Sequence, residues 1–174
     1  MRKVLFGGAI SLDNFIARPD GAVDWLQWSD EAAAYLKELW SSVDAMLMGR
    51  MTYENALKQG AGGGHPAICS YVCSRTMTPR KQKNGSEVVN DAVGLVTKLK
   101  QKDGRDIYLL GGGLLAASLF EADLVDEIGF SIQPVLLGQG IPLYHPTSKQ
   151  IELELISADA WKNGCVLVKY RVRK

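Results

Sequence analysis

Residues of the types that build metal sites or disulfide frameworks are scarce in this 174-residue sequence. There are three cysteines, an odd number without paired spacing, and two histidines that each precede a proline (Cys69, Cys73 and Cys165; His65 and His145). Two of the cysteines lie in or beside the apolar run AICSYVCS, so we interpret the cysteines as small buried thiols. Since neither histidine has a cysteine or a second histidine at ligand spacing, we expect no metal site.

An excess of charge of either sign is also missing. The net charge of +1 provides no basic footprint for nucleic acid and no polybasic face for a membrane. No apolar run is long enough to span a bilayer, and the first residues turn polar too soon for a signal peptide, so we expect a cytoplasmic protein. A content of 47% hydrophobic and 22% charged residues, without repeats or an interior linker, predicts one domain over residues 1–174.

Strand-like and helix-like patterns alternate along most of the chain. Ser29 is a predicted helix cap, as is Asn90 or Asp91, and another helix is predicted from Thr52 to about Lys58. Buried strands are predicted at residues 3–10, 43–48, 68–74, 106–110 and 128–137. The tail differs, because IELELIS and CVLVKYRV alternate on either side of the turn ADAWKNG, which predicts an antiparallel hairpin. About eight strands and four helices predict a mixed-sheet α/β domain.

Three consecutive glycines connect an apolar strand to an apolar helix in the stretch DIYLL-GGG-LLAASL. Glycine lets the backbone approach a ligand closely, and the free N–H groups of a helix's first turn favour an anion. A pyrophosphate is the ligand that this arrangement suggests. The alternative is that Gly111, Gly112 and Gly113 only form a tight turn.

Two further strand ends carry groups that suit phosphate. Each combines a guanidinium with a hydroxyl or a helix start, in the runs Gly49-Arg50-Met51-Thr52 and Ser74-Arg75-Thr76. A solvated arginine at a sheet edge is the alternative for each run taken alone. Three such strand ends in one domain indicate a dinucleotide with an extra phosphate, and therefore NADP over NAD.

A Rossmann fold is the competing interpretation of the glycines. Gly111, Gly113 and Ala116 fit the G-x-G-x-x-[GA] fingerprint. The strand that follows, GFSIQPVLL, carries no acidic residue for a ribose, and the motif sits late in the chain. Both features disfavour the Rossmann fold.

Five motifs in this order, AISLDNFIA, MGRMTYE, CSRT, LLGGGLLAASL and GQGIPLY, resemble the dihydrofolate reductase superfamily. The sequence is most similar to its bacterial branch, which is related to the C-terminal reductase domain of the riboflavin biosynthesis protein. The resemblance covers essentially the whole chain. It implies a three-layer α/β sandwich with a mixed eight-stranded sheet and a C-terminal antiparallel hairpin, with NADPH across the strand ends. It also implies a homodimer, formed through sheet edges.

The resemblance implies a role for each residue of the cofactor site. Ala9 and Ile16 would present backbone groups to the nicotinamide carboxamide. The adenosine and pyrophosphate portion would be held by Gly49, Arg50 and Thr52, the 2′-phosphate by Ser74 and Arg75, and the pyrophosphate would be covered by Gly111, Gly112, Gly113, Leu114 and Leu115. Members of the superfamily often have a cis peptide between the first two of these glycines, so we expect one at Gly111–Gly112.

On the substrate side, the resemblance places a carboxylate on the first helix, at Asp30 or its neighbour Glu31. Acids in a helix's first turn are also common simply as dipole partners. The family's aromatic on this helix is replaced by Ala34, and its basic residue after Ser-Leu-Asp by Asn14-Phe15. Trp25 and Trp28 could stack on a planar substrate or pack under a loop.

These residues predict an NADPH-dependent reductase that acts on a C=N or C=O carbon. The first candidate substrate is 5-amino-6-(5-phosphoribosylamino)uracil, the second is dihydrofolate or another pterin, and an orphan substrate is a third possibility. The proton would come from water, Asp30 or Glu31. A non-catalytic NADP-binding protein is the alternative from another class.

Overall fold

The computed structural model describes residues 1–60 and 67–174. The strands are Val4–Ser11 (β1), Phe15–Ala17 (β2), Val43–Gly49 (β3), Cys69–Cys73 (β4), Glu87–Val89 (β5), Asp106–Leu110 (β6), Glu127–Gln133 (β7), Ile141–Pro142 (β8), Leu153–Ala160 (β9) and Val166–Val172 (β10). The helices are Asp30–Ser42 (α1), Arg50–Lys58 (α2), Ala92–Lys100 (α3) and Gly113–Glu121 (α4). No helix in these residues is long and apolar enough to cross a membrane.

Eight of the strands form one mixed sheet, in the order β5-β4-β3-β6-β1-β7-β10-β9. Strand β10 runs antiparallel to both of its neighbours, and the other pairs are parallel. The predicted mixed eight-stranded sheet is therefore confirmed. A second sheet of β2 and β8 was not predicted, because strands of three and two residues are too short to show an alternating pattern.

Helices cover both faces of the large sheet and make the predicted three layers. One core cluster joins α3 and α4 to the sheet through Val96, Leu119 and Phe120, which pack with Phe6 of β1. The other face is covered by α1 and α2, whose Leu39 and Tyr53 pack with residues of β3, β4 and β6. Because every parallel strand lies between two layers, its sequence is apolar almost throughout.

Local signals set the helix starts. The Ser29 hydroxyl accepts a hydrogen bond from Ala32 N at 3.2 Å, as its position before α1 predicts. Of the two candidates before α3, Asp91 is the cap, and its carboxylate accepts from Gly94 N at 2.8 Å. Helix α2 begins at Arg50 and not at the predicted Thr52, because Gly49 already occupies the capping position.

The C-terminal hairpin is confirmed, with different limits from those predicted. Strand β9 continues to Ala160, so the turn is confined to residues 161–165 and closed by a bond from Trp161 N to Cys165 O of 2.8 Å. Strand β7 ends at Gln133, earlier than predicted, because Pro134 cannot donate to the ladder.

The prediction that the cysteines are buried is correct for Cys165 and wrong for Cys69. Cys69 is exposed because it is the first residue of β4, at the start of the paired segment. Cys73 has an exposure intermediate between those of Cys69 and Cys165. Burial raises the pKa of its thiol to about 12. Such a thiol is protonated at neutral pH and is unreactive.

Candidate active site

The carboxyl ends of the parallel strands β4, β3, β6, β1 and β7 meet at one edge of the sheet. Ligands of open α/β sheets bind at this edge, because the loops and helix starts converge there. The residues that we assign to the cofactor lie close to one of these strand ends or in the segment that follows it. They are Ala9, Ile16, Gly49, Arg50, Thr52, Ser74, Arg75 and residues 111–115. The fold therefore gathers them on one side of the molecule.

Helices α2 and α4 start side by side at this edge, because they follow the directly paired strands β3 and β6. A Cβ atom on Gly111 would lie 3.5 Å from Thr52 Oγ1 in the first turn of α2. Both cap residues are glycines, Gly49 and Gly112, and neither provides a side-chain bond to the turn that follows. Two positive helix ends with uncapped N–H groups thus border the same region, which is a suitable place for an anion.

The turn before α4 differs from the predicted one at a single bond. We expected a cis peptide at Gly111–Gly112, and this was wrong, since the described residues contain no cis peptide. Gly111 and Gly112 instead take the left-handed conformation, with φ of 53° and 71°, and two such residues turn the chain into the helix without a cis bond. Gly113 is needed for a different reason, because a Cβ there would lie 2.1 Å from Leu143 O.

The two arginines of the site, Arg50 and Arg75, have side chains that are open to solvent. The Arg50 guanidinium lies 3.2 Å from Glu54 Oε1, one turn along α2, and both side chains are about half exposed. Arg75 is exposed directly after β4. Ser74 is buried, and its hydroxyl accepts from Met77 N at 3.1 Å and Thr76 N at 3.3 Å. The Ser74 oxygen is therefore largely occupied by bonds within its own turn. Arg75 is the charged group that is available to a ligand at the end of β4.

The segment between β1 and β2 is fixed by Asp13. Its carboxylate accepts from Ser11 Oγ at 2.6 Å, Gly138 N at 2.7 Å and Leu137 N at 3.1 Å. These bonds, first among them the one from Ser11, hold the pKa of Asp13 below its ordinary value. Asp13 thus ties this segment, with Ile16 at its end, to the residues that lead into β8.

The two acidic residues at the start of α1 differ in their surroundings. Glu31 Oε1 accepts a bond from Lys162 N at 3.3 Å, in the turn between β9 and β10. Bonds from its own backbone, from Lys162 N and from Ser29 hold the pKa of Glu31 below its ordinary value. Asp30 is exposed and has no hydrogen-bond partner among the described residues. Glu31 is engaged by the turn between β9 and β10, whereas the exposed Asp30 carboxylate is available to a ligand.

Of the two tryptophans considered for stacking, only one is accessible. Trp25 is buried, whereas 72% of Trp28 is exposed. Trp28 lies directly before Ser29 and the start of α1. Its ring is therefore open to solvent beside the start of α1.

The sequence analysis missed two tyrosines, Tyr35 of α1 and Tyr108 of β6, which line a cavity between α1 and the sheet. Gly7 and Gly129, in strands that otherwise read as buried, were the available signal. Glycine inside a strand often marks a place where a ligand or another group comes close.

No group of three or more side chains with metal-ligating chemistry is present within residues 1–60 and 67–174. His145 packs against the start of α4, with Cδ2 2.6 Å from the position of a Cβ atom on Gly113. His65 lies outside the described residues.

Comparison with known sequences identifies relatives along the whole chain. The family described as the RibD C-terminal domain matches residues 2–167. The uncharacterized protein YwjB of Bacillus subtilis (strain 168) is 30% identical over 155 residues, which span 88% of this chain and 89% of that protein. The uncharacterized protein YyaP of the same organism is 29% identical over 181 residues, which span 97% of this chain and 94% of that protein.

Solved structures have the same fold. A protein assigned by name to riboflavin biosynthesis, from Shewanella sp. PV-4, has a TM-score of 0.83 and 25% identity, with 100% of both chains covered. The second is a diaminohydroxyphosphoribosylaminopyrimidine deaminase/5-amino-6-(5-phosphoribosylamino)uracil reductase from Thermotoga maritima. It has a TM-score of 0.72 and 16% identity, over 99% of this chain and 57% of that one. This last similarity shows the fold alone.

Proposed function

The chain belongs to the RibD C-terminal domain family, and from this premise we propose that it is an NADPH-dependent reductase. Its substrate would be a heterocyclic or ribosylamino compound with a C=N or C=O carbon that accepts a hydride. The observation that carries the proposal is the pair of uncapped helix starts, α2 and α4, side by side at the carboxyl edge of the sheet.

The cofactor assignment is supported by the chemistry of that edge. A pyrophosphate requires N–H donors and close approach of the backbone, and the glycines 111 and 112 and the first turns of both helices provide them. Leu114, 64% exposed in the first turn of α4, and the half-buried Leu115 would cover it. Gly49, Arg50 and Thr52 would hold the adenosine side of the same group.

One further positive charge of the protein, that of Arg75, favours NADPH over NADH. Arg75 is exposed at the end of β4, two strands from β6 in the sheet, where it can pair with a 2′-phosphate. Ser74 would donate a hydrogen bond from its hydroxyl to this phosphate, because its oxygen already accepts two bonds in the local turn. At the other end, Ala9 of β1 and Ile16 of β2 would offer backbone groups to the nicotinamide carboxamide.

The reduced nicotinamide supplies the hydride when it is bound, and the protein supplies orientation. The chain's own contribution begins with the β1–β2 segment, which Asp13 fixes beside the proposed nicotinamide position. A proton is then delivered to the reduced substrate by Asp30 or by water that it orders. Glu31 holds Lys162 N and orients the turn between β9 and β10.

The first candidate substrate is 5-amino-6-(5-phosphoribosylamino)uracil, and dihydrofolate or another pterin is the second. The first is supported by the family and by the name of the Thermotoga maritima protein, whose fold the chain shares. The residue types that would bind its ribose phosphate are replaced by Asn14 and Phe15, so the phosphate contact would come from elsewhere in this chain.

We also propose a homodimer that forms through β9. This strand is at one end of the large sheet, with one side of its backbone unpaired in the sheet order. It exposes Leu155 and Ile156, at 57% and 43%. An edge strand with exposed apolar side chains is a template for pairing with a second chain.

The test is a titration of tryptophan fluorescence with NADPH and separately with NADH. NADPH is expected to bind at least about tenfold more tightly, since a charge-assisted contact contributes about 1.5–3 kcal/mol. Turnover is then followed as NADPH oxidation with the ribosylaminopyrimidine and with dihydrofolate. Absence of binding by either dinucleotide would contradict the proposal, and binding without turnover on any pyrimidine or pterin would favour a non-catalytic NADP-binding protein.

A further inference from the structure

Three buried polar atoms at the β5 edge of the large sheet have no hydrogen-bond partner among the described residues. They are Ser70 Oγ, Ser86 Oγ and Gln82 Nε2. Ser70 is 6% exposed and Ser86 is 0% exposed. A buried polar group that stays unpaired is unfavourable, so three such groups in one place indicate that a ligand completes them.

The two serines occupy neighbouring positions on the paths of β4 and β5. Each stands one residue before the first Cα pair of these strands, Tyr71 opposite Glu87. Val72 and Val88, two positions beyond the serines, belong to the core cluster that α1 and α2 cover, so the serine side chains point to that same face. Parallel strands lie about 4.8 Å apart, which is too far for a direct bond between the hydroxyls. One small molecule between them can bond to both.

A tight hairpin of residues 82–86 brings the third polar group to the serines. Gln82 N donates to Ser86 O at 2.7 Å, and Gly85 N donates to Gln82 O at 3.0 Å, which closes the turn. In this turn the side chain of Asn84 donates from Nδ2 to Tyr53 Oη of α2 at 3.1 Å and accepts from Ser86 N at 3.1 Å. Both main-chain groups of Ser86 are therefore bonded, and its hydroxyl is the group left over.

The chemistry of the three groups fits a water molecule. Each hydroxyl can donate and accept a bond, and the amide nitrogen donates. A water that accepts from Gln82 Nε2 and bonds both hydroxyls makes three bonds, which is the usual number for a buried water in a protein. All three groups are neutral, and the charged residues nearest in sequence, Lys81, Lys83 and Glu87, are exposed, so an ion would find no buried counter-charge.

We propose that Ser70, Ser86 and Gln82 together bind one internal water molecule, which fastens the hairpin of residues 82–86 to β4 beneath α2. The water is then part of the folded core at this edge of the sheet. The inference goes beyond the proposed reductase function and does not rest on it, because Ser70 lies near the amino end of β4, away from the strand ends assigned to NADPH.

Urea unfolding of Ser70→Ala and Ser86→Ala tests the site by the sign of the change. Removal of a hydroxyl that bonds a fixed water should lower the urea midpoint, whereas removal of a buried hydroxyl without a partner should raise it. Because the two hydroxyls share one water, the double variant should lose less than the sum of the single losses. Ser118→Ala is the matched control, since the exposed Ser118 hydroxyl donates to Leu115 O at 2.7 Å on the other side of the sheet. Combined with Ser70→Ala, it should give additive losses.

A crystal structure of the full wild-type chain gives the direct test. One water peak is expected within about 3.2 Å of Ser70 Oγ, Ser86 Oγ and Gln82 Nε2. Absence of that peak, or side chains that bond one another instead, would overturn the proposal, as would a raised midpoint in either single variant. Additive losses in the double variant would assign the two hydroxyls to separate partners and contradict a shared water. None of these readouts involves NADPH, so they succeed or fail independently of the reductase proposal.

Discussion

The main-chain nitrogen of Gly49 lies 3.5 Å from the position that a Cβ atom on Gly112 would occupy. This relationship joins the starts of α2 and α4, which follow neighbouring strands of the sheet. Any side chain at position 112 would stand between the two helix ends. Glycine there thus serves both the left-handed backbone and the space that an anion would occupy.

Gly112→Ala is expected to raise the Kd for NADPH about tenfold, or ~1.4 kcal/mol, because its methyl group enters this space. It should also lower the free energy of unfolding by about 1–2 kcal/mol, since alanine is strained in the left-handed region. Gly85→Ala is the matched control, because Gly85 has a φ of 85° and nothing within 4 Å of its Cβ position. The control should lose similar stability and bind NADPH normally. Equal affinity in both variants would show that the glycine is only structural.

Arg75→Ala is expected to weaken NADPH binding by about 1.5–3 kcal/mol and to leave NADH binding unchanged, because only NADPH carries the 2′-phosphate. Isothermal titration with each dinucleotide measures the difference. Arg80→Ala, at another exposed arginine of the same segment, is the control for loss of general positive charge. If the two variants lose the same affinity, Arg75 makes no specific contact and the 2′-phosphate lies elsewhere.

The stretch around Gly111 shows how far sequence reasoning reaches. The change from an apolar strand to an apolar helix, with three glycines between, predicts a strand, a turn and a helix start, and the structure confirms them. The conformation of the turn could not be derived, because glycine tolerates both a cis bond and two left-handed residues. We expected the first, and the chain adopts the second.

The cavity beneath α1 could not be predicted for a different reason. Gly7 and Gly129 become neighbours only through the register of β1 with β7, and strands far apart in sequence give no local signal of register. Ser74 could not be assigned for a third reason, since its hydroxyl could equally face a ligand or its own turn. In the folded chain it accepts from Met77 N.

Asp30→Asn is expected to lower kcat for substrate reduction about a hundredfold, which is the usual contribution of a positioned general acid. Glu31→Gln is the matched control on the next residue. The Glu31 carboxylate already accepts a bond from Lys162 N, so its loss should affect the turn between β9 and β10 more than the proton transfer. A larger loss in Glu31→Gln than in Asp30→Asn would reverse the assignment. Losses below threefold in both would assign the proton to water.

Leu155→Lys is expected to convert a dimer to a monomer, because it places a charge on the exposed face of the edge strand β9. Light scattering after size-exclusion chromatography measures the mass. Leu136→Lys is the control, since Leu136 is 68% exposed and lies outside the large sheet. A monomeric wild-type protein, or a dimer that survives Leu155→Lys, would contradict pairing through β9.

Asp126→Asn is expected to lower the free energy of unfolding at pH 7 by about 2 kcal/mol, in a way that depends on pH. Burial alone would raise the pKa of Asp126, but bonds from Lys100, from Lys174 at 2.6 Å and from Val4 N at 2.8 Å outweigh it and lower the pKa. The folded pKa is therefore below the unfolded value near 3.8, so the stabilisation is complete above that value.

As the pH falls through the lower folded pKa, Asp126 becomes protonated in both states and the difference between wild type and variant should shrink towards zero. Urea unfolding from pH 7 down to pH 2 measures it. Asp123→Asn is the control, because its ion pair with Lys149 is exposed and asparagine tolerates its φ of 56°. It should change stability by less than about 0.5 kcal/mol at every pH. A loss in Asp126→Asn that stays constant with pH would mean that altered packing, and not the carboxylate charge, causes it.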